Sequence, residues 1–562
     1  MASQSNKLTT TSHYNDWPNT QGFDVRYQEL EPVDLAVQGT IPPYCAGVLF
    51  RNGLGPRDVQ TDRQTNYRVS HWFDYFAQVH RFQIHAHTRE HPQVRVTHNS
   101  RLTCDGLIRR IQRTGYRGEI TFGAKYDPCM SLFQKAQSVF KAIPRGAPDE
   151  VGISVSLNVN FPGLSAAGSK QEKMLDLGAN WCRDQTVLHP SLRGPLSAAH
   201  CKTDPATGDV YNYNLDMGLT TTYRVFHVSR ETGKTSILAT FKHPATYVHS
   251  LSLTENYVVL CLWNARFRAG GMSLLWTHNF VDALADYDPT QRNTWFVVDR
   301  TLGGRGLIAR YESDPFFSFH TINAYEEPSP IDPSKTDVIA DVCAYDSLDV
   351  LKRFYIDNLM SNSATTREYS DSRSHSARGA FRRFRLPALS KALNSKTLPA
   401  ELIFSMGNGL GPELPSISPR VRSLKHRYVY GVTDTGKSVF VDGLVKHDVV
   451  TQTAIYWSQH GQTASEPISV ADPDSQDEDG GVLLSVVLDG IGGRSYLLVL
   501  NARTMTEVGR ATVDGVVGFG FHGAHVRETP SYFKACCLVR LQFLFVQVFF
   551  QRLSGVALIY LV

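Results

Sequence analysis

"TTYRVFHVSRETGKTSILATF", residues 221–241, decides how the chain is read. Val, Thr, Tyr and Phe crowd two short runs, and "ETGK" (231–234) separates them with a glycine turn. Two β-rich runs around a short Gly-containing break predict a hairpin rather than a helix. The same pattern recurs in "GDVYNYNLDMG" (208–218), "ENYVVLCLW" (255–263), "NTWFVVDR" (293–300), "RYVYGVTDTGKSVFVDGLVKHDVVT" (427–451), "GGVLLSVVLDG" (480–490) and "RSYLLVLNARTMTEVGRATV" (494–513). "DPATGD" (204–209), "TDTGK" (433–437) and "LDGIGG" (488–493) are further turn signals. Such punctuation over hundreds of residues predicts an all-β fold, either a propeller or tandem sandwiches. The best helical pattern is "DPCMSLFQKAQSVFKAI" (127–143), with apolar residues at helical spacing.

The 562 residues are 42% hydrophobic and 20% charged, enough for a large core. A net charge of +4 is small for this length and gives no sign of a nucleic-acid partner. Nine cysteines without a C-x-x-C point away from a disulfide framework and toward a reducing, cytoplasmic setting. The polar N-terminus has no apolar core, so residues 1–22 read as a disordered arm and not as a signal peptide. Residues 23–530 read as the folded domain.

"SNSATTREYSDSRSHSARGAFRRFR" (361–385) reads as an exposed insertion or long loop, and "NGLGP" at 52–56 and 408–412 as a pair of turns. Residues 531–562 form an atypical apolar tail. Its charge-free runs, 541–551 and 553–562, are shorter than the roughly 18–20 residues a spanning helix needs. The tail is therefore either a monotopic membrane segment or an artefact of the gene model.

Twenty histidines are many for this length, and four sit in or beside apolar, strand-like runs: His200, His249, His320 and His522. They are separated by 49, 71 and 202 residues. Such gaps suit ligands delivered by separate sheets around one axis and exclude a local motif such as H-E-x-x-H. Each histidine taken alone reads as an ordinary core or turn residue. His525, three residues past His522, would face the other way on an extended strand.

Eight stretches carry a family resemblance: "AGVLFRNGLGP" (46–56), "HWFDYFAQVHRFQI" (71–84), "SAAHCKTDPATGDVYNYNLD" (197–216), "YVHSLSLTENYVVL" (247–260), "FFSFHTINAYEE" (316–327), "PELPSIS" (412–418), "SEPISVADPDSQDEDGGVLLSVVLD" (465–489) and "GFHGAHV" (520–526). In this order the chain resembles the carotenoid cleavage oxygenase family, which includes the vertebrate retinoid isomerohydrolase. The resemblance implies a seven-bladed β-propeller with a helical and loop cap over one face. It implies Fe(II) on the axis, held by His200, His249, His320 and His522, with Glu413 and Glu466 accepting outer imidazole N–H groups. A third family acid falls at Gly178, two residues from Asp176. Tyr75 stands where the family carries glycine; a positive φ there would strain it by on the order of 1 kcal/mol.

The implied reaction adds O2 across a double bond of a carotenoid or apocarotenoid, giving two carbonyl products. No catalytic acid or base is then needed beyond the metal ligands, and an apolar tunnel selects the bond by register. Phe73, Phe317, Phe319 and Phe521, with Trp72 and Phe316, are the aromatic residues placed to line it. "WPNTQGFDV" (17–25) and the "HWFD" block look most like the fungal, torulene-cleaving branch. The alternatives are a retinal-forming symmetric cleaver, a retinyl-ester isomerohydrolase and a non-catalytic lipid-binding propeller. A lipid-borne substrate implies peripheral contact with membranes or lipid bodies.

Overall fold

The computed structural model of the chain describes residues 16–87, 93–118, 120–125, 150, 155, 158–159, 161–162, 174–175, 185–218, 220–366, 377–389, 396–406 and 411–527. In the opening stretch, Thr222–Val228 and Thr235–Lys242 pair antiparallel, with one bulge between Val225 and Phe226. Gly233 takes φ +68°, a left-handed conformation that glycine adopts without a Cβ clash. In "DPATGD" the Asp204 carboxylate accepts the Ala206 and Thr207 N–H groups at 2.7 and 3.1 Å. Side-chain turns of this kind fix where each strand reverses.

Among the described residues these hairpins build six sheets of four to six strands. Most sheets use strands close in sequence, from Leu196–Ser197 through Glu507–Thr512. The chain ends are joined twice. Ala36–Gly39 pairs with Glu507–Thr512, and Gly47–Leu54 pairs with Gly523–Arg527. Successive sheets with interlocked ends are the arrangement of a β-propeller. Seven blades are not counted among the described residues; between 126 and 184 those residues supply one short pair, Asn158–Val159 with Met174–Leu175.

Each of the six sheets has one edge that begins it or, in the N-terminal sheet, closes it. These edges are Leu196–Ser197, Ser252–Leu253, Phe317–Pro328, Glu413–Ser416, Gln462–Ala464 with Ile468–Ala471, and Gly523–Arg527. Above them lies a cap in which residues 70–76 are stitched to 351–356. Trp72 N–H donates to Phe354 O at 2.9 Å, and Ile356 N–H to Ser70 O at 2.9 Å. The short helices Asp349–Arg353 and Ile356–Leu359 belong to this cap.

Several expectations are corrected. The arm does not run free to residue 22: Trp17 and Asn19 are buried, and Asn19 Nδ2 donates to Leu359 O at 2.8 Å. The Trp17 indole N–H donates to Thr463 on a sheet edge at 3.2 Å, and the two-way amide of Asn19 bonds the cap at Leu359 and Ser361, partners that composition does not reveal. The Ser/Arg-rich stretch is not a loop throughout, because Ala380–Leu389 is a strand inside its sheet. Its Arg383 escapes the cost of burial by a two-pronged pair with Asp341 at 2.7 and 2.8 Å. The first "NGLGP" begins inside strand Gly47–Leu54, paired on both sides. Tyr75 is unstrained at φ −63°. Residues 1–15, the helix expected at 127–143, Asp176, Gly178 and the tail 531–562 lie outside the described residues.

His80 and His98 form a buried pair in the N-terminal sheet, Nδ1 to Nε2 at 3.2 Å. Burial holds the His98 imidazole down to about 4 and His80 well below its usual value. In the unfolded chain both titrate near 6.5. Below that pH the unfolded state binds protons that the folded state refuses, so stability falls as pH drops from about 6.5 toward 4. Urea unfolding at pH 7 and pH 5 checks this, and His98→Phe is expected to reduce the loss.

Candidate metal centre

The six sheet edges deliver one polar side chain each to the same point. His200 follows Leu196–Ser197, His249 precedes Ser252–Leu253, His320 lies in Phe317–Pro328 and His522 precedes Gly523–Arg527. Glu413 opens its own edge strand and Glu466 lies between Gln462–Ala464 and Ile468–Ala471. The ligand nitrogens of His200, His249 and His320 all lie within 4.8 Å of one another. His200 Nε2 is 3.1 Å from His249 Nε2, and His522 Nε2 is 3.2 Å from His320 Nε2. The four histidines expected from the sequence are thus brought together. His525 is not among them; its Nε2 meets Cys45 O at 3.0 Å.

Local irregularities aim these side chains. The strand carrying His320 breaks register between Ser318 and Thr321, and that carrying Glu413 between Glu413 and Ser416. Leu414 sits at φ +47°, a strained conformation for leucine at the second of these bulges. Bulges turn a side chain away from its regular direction. Before His522 the chain lies flat on strand Gly47–Leu54: a Cβ on Gly520 would stand 1.8 Å from Asn52 O, so only glycine fits.

The outer nitrogens are held firmly. His320 Nδ1–H donates to Glu413 Oε2 at 2.5 Å, and His522 Nδ1–H to Glu466 Oε1 at 2.8 Å. His249 Nδ1 meets the Tyr247 hydroxyl at 2.7 Å. Tyr345 donates its O–H to Glu413 Oε1 at 2.5 Å. Glu466 Oε2 accepts from Arg51 at 3.0 Å and from Gly523 N–H at 2.8 Å. Burial alone would raise the Glu466 carboxyl, but His522, Arg51 and the Gly523 N–H hold it below the usual range.

The chemistry of this donor set follows from its tautomers. With Nδ1–H given to carboxylates, the inward Nε2 atoms of His320 and His522 carry bare lone pairs. Two lone pairs facing at 3.2 Å repel unless a cation lies among them. Burial, with repulsion from neighbouring histidines, keeps His200 and His249 well below their ordinary pKa. Burial lowers His522 as well, against the pull of Glu466. Neutral imidazoles with carboxylates behind them fit a divalent transition-metal ion.

An apolar cavity borders the cluster. It holds about 830 Å³ of empty space, counting the part open to solvent. Trp72, Phe73, Phe319 and Phe521 line it beside His320 and Glu413. The "HWFD" block sets these rings: Asp74 accepts the Phe122 and Gly123 N–H groups at 2.6 and 2.8 Å, and Trp72 Nε1–H donates to Phe519 O at 2.8 Å. Phe316 and Phe317 do not reach the cavity. Phe317 pairs with Tyr345 and packs edge-on against Phe319 at 4.8 Å, so it supports the wall from behind.

Residues 22–527 match the model of the retinal pigment epithelial membrane protein family. The chain belongs to this family. A carotenoid dioxygenase of Neurospora crassa is 36% identical over 92% of this chain and 92% of its own length. A torulene dioxygenase of Gibberella fujikuroi is 34% identical over 93% and 96%. Among solved structures, a cobalt-substituted Synechocystis apocarotenoid oxygenase aligns with a TM-score of 0.66 at 20% identity, covering 91% of this chain and 98% of that one. That likeness shows a shared fold.

Sequence reasoning missed Tyr247, Tyr345 and Arg51. Arg51 had a signal, a lone cation inside the apolar run "VLFRNGL". Tyr345 had none, since it lies 68 residues from Glu413.

Glu466→Ala strands the Arg51 guanidinium in the interior. A loss of about 3–5 kcal/mol in urea unfolding is expected. Glu413→Gln is expected to weaken Co(II) or Fe(II) binding roughly 10- to 100-fold, read by competition with a chelator.

Proposed function

We propose that this family member is a non-haem Fe(II) dioxygenase that cleaves a conjugated C=C bond of a carotenoid or apocarotenoid. The observation that carries this reading is the convergence of four imidazoles, one of which, His320, stands on the wall of an aromatic-lined apolar cavity. His200, His249, His320 and His522 would hold the ion, with Glu413 and Glu466 fixing two of the rings. The carotenoid and torulene dioxygenase relatives support the substrate class.

When bound, ferrous iron supplies the redox chemistry by which O2 reacts with a double bond, its two atoms ending in two carbonyl products. The chain's own residues hold and shield. Phe73 packs at 6.1 Å from His249 and 4.6 Å from Phe521, ring centre to centre. Phe319 packs at 5.4 Å from His249. These rings offer a polyene flat apolar contact and keep water from the reacting carbons. Selection of the bond is then a matter of how far the polyene slides along the cavity.

Torulene is the first substrate to test, because one of the relatives is a torulene dioxygenase. Peripheral contact with membranes or lipid bodies is supported by the exposed Met272, Leu275 and Trp276, 55, 52 and 48% accessible in one short segment. Among the described residues no helix is long and apolar enough to cross a membrane.

The test is product mass after incubation of the iron-loaded chain with torulene and other carotenoids. Two aldehydes carrying label from 18O2 are expected. Turnover of a retinyl ester without O2 would instead favour isomerohydrolase chemistry. Iron content well below one per chain after anaerobic loading would favour the non-catalytic reading. His320→Ala is expected to lose both iron and cleavage, whereas His525→Ala retains both.

A further inference from the structure

The two carboxylates behind the metal centre keep different company. Glu466 faces a full positive charge: Arg51 Nη1 lies 3.0 Å from its Oε2, and the Gly523 N–H donates to the same oxygen at 2.8 Å. That pair is close to neutral, so it orients His522 while lending it little charge. Glu413 is held by uncharged donors. His320 Nδ1–H and the Leu414 N–H meet its Oε2 at 2.5 and 3.1 Å, and the Tyr345 hydroxyl donates to its Oε1 at 2.5 Å.

Tyr345 and Glu413 each have an anchorage apart from this shared contact. Glu413 pairs with Val432 across its sheet edge and accepts the Leu414 N–H. Tyr345 ends strand Thr336–Tyr345 opposite Phe317, is 2% exposed, and packs its ring against Phe317 and Phe319 at 6.2 and 6.1 Å between centres. The contact between them is a charge-assisted bond, which draws electron density off the carboxylate. A carboxylate whose charge is already satisfied at one oxygen accepts less strongly at the other. An imidazole whose outer N–H is accepted less strongly is a poorer base at its inner nitrogen. The relay runs from the Tyr345 hydroxyl to Glu413 Oε1, and from Glu413 Oε2 to His320 Nδ1.

We propose that Tyr345 is a positioning residue that acts through Glu413 on His320: its hydroxyl takes up part of the carboxylate charge, weakens His320 as a ligand and holds a bound iron ion toward the ferrous state. Arg51 has the corresponding place behind Glu466. The proposal rests on the metal-ligand reading of His320 above and is independent of the substrate. Ferric iron carries more charge than ferrous iron and gains more from a strongly donating imidazole, so loss of the hydroxyl favours the ferric ion.

The test uses the full chain, stripped of metal and titrated with Co(II) in competition with a chelator. Tyr345→Phe removes the hydroxyl and keeps the ring. It is expected to bind Co(II) about three- to tenfold more tightly than the parent, part of the worth of a hydrogen bond to a charged group being passed on to the metal. A purely structural tyrosine predicts the opposite sign. The Fe(III)/Fe(II) potential of the iron-loaded variant is expected to fall below that of the parent. In a Glu413→Gln background the same substitution is expected to change Co(II) binding by less than about twofold, because no carboxylate remains to relay it. Fluorotyrosine at position 345, a stronger donor on the same ring, is expected to loosen Co(II) and decides the matter if the phenylalanine variant folds poorly. Equal or weaker Co(II) binding in Tyr345→Phe whose thermal unfolding matches that of the parent overturns the proposal. So does an undiminished gain in the Glu413→Gln background. A parent chain that binds no Co(II) removes the metal-ligand reading and the proposal with it, whereas a parent that binds Co(II) without response to any change at position 345 removes the proposal alone.

Discussion

The site turns on two imidazole nitrogens held face to face. His320 and His522 each give their outer N–H to a carboxylate, which aims the inward Nε2 atoms at one another 3.2 Å apart. A metal cation seated among such nitrogens would take up their lone pairs. The rest of the molecule can be read as the apparatus that keeps the arrangement from relaxing. Glu466 cannot swing away because Arg51 and the Gly523 N–H hold its other oxygen. Glu413 is held between Tyr345 and the strained backbone at Leu414. A buried ion pair adds little net stability, but it fixes geometry, and here the geometry is what the metal requires.

Propeller topology makes this economical. An inner sheet edge presents unpaired backbone to a narrow axis, and six such edges each contribute one functional side chain. The bulges at Ser318–Thr321 and Glu413–Ser416 fall on those edges, where a break in the ladder disturbs one partner only. The double joining of the chain ends serves the same purpose. His522 lies directly before Gly523–Arg527, whose pairing with Gly47–Leu54 holds that histidine in place.

The cavity wall divides into an aromatic half and a charged half. Trp72, Phe73, Phe319 and Phe521 supply rigid apolar contact near the metal centre, and the cap stretch 70–76 sets their positions. Arg353, Arg378 and Asp434 supply fixed charge further along.

The sequence by itself determined the strands, the turns between them and the four histidines that the fold brings together. Alternation of β-rich runs with Asp/Gly turns is a local property, and "ETGK" or "DPATGD" reverses the chain wherever it occurs. His200, His249, His320 and His522 were legible because each sits in a stretch shared with a known family. Spacing alone left them as ordinary core histidines. Tertiary structure decided what each residue meets. Trp17 and Asn19 read as a free arm because polarity is local while their partners, Thr463 and Leu359, are hundreds of residues away. "FRRFR" read as a loop because its balancing acid, Asp341, lies on the neighbouring strand. Phe317 and Phe319 look equivalent on a strand, yet only Phe319 reaches the cavity, since the register breaks between Ser318 and Thr321, with Phe319 inside the break. The meeting of Arg353 and Arg378 on Asp434 was invisible for the same reason: it exists only once three distant segments come together.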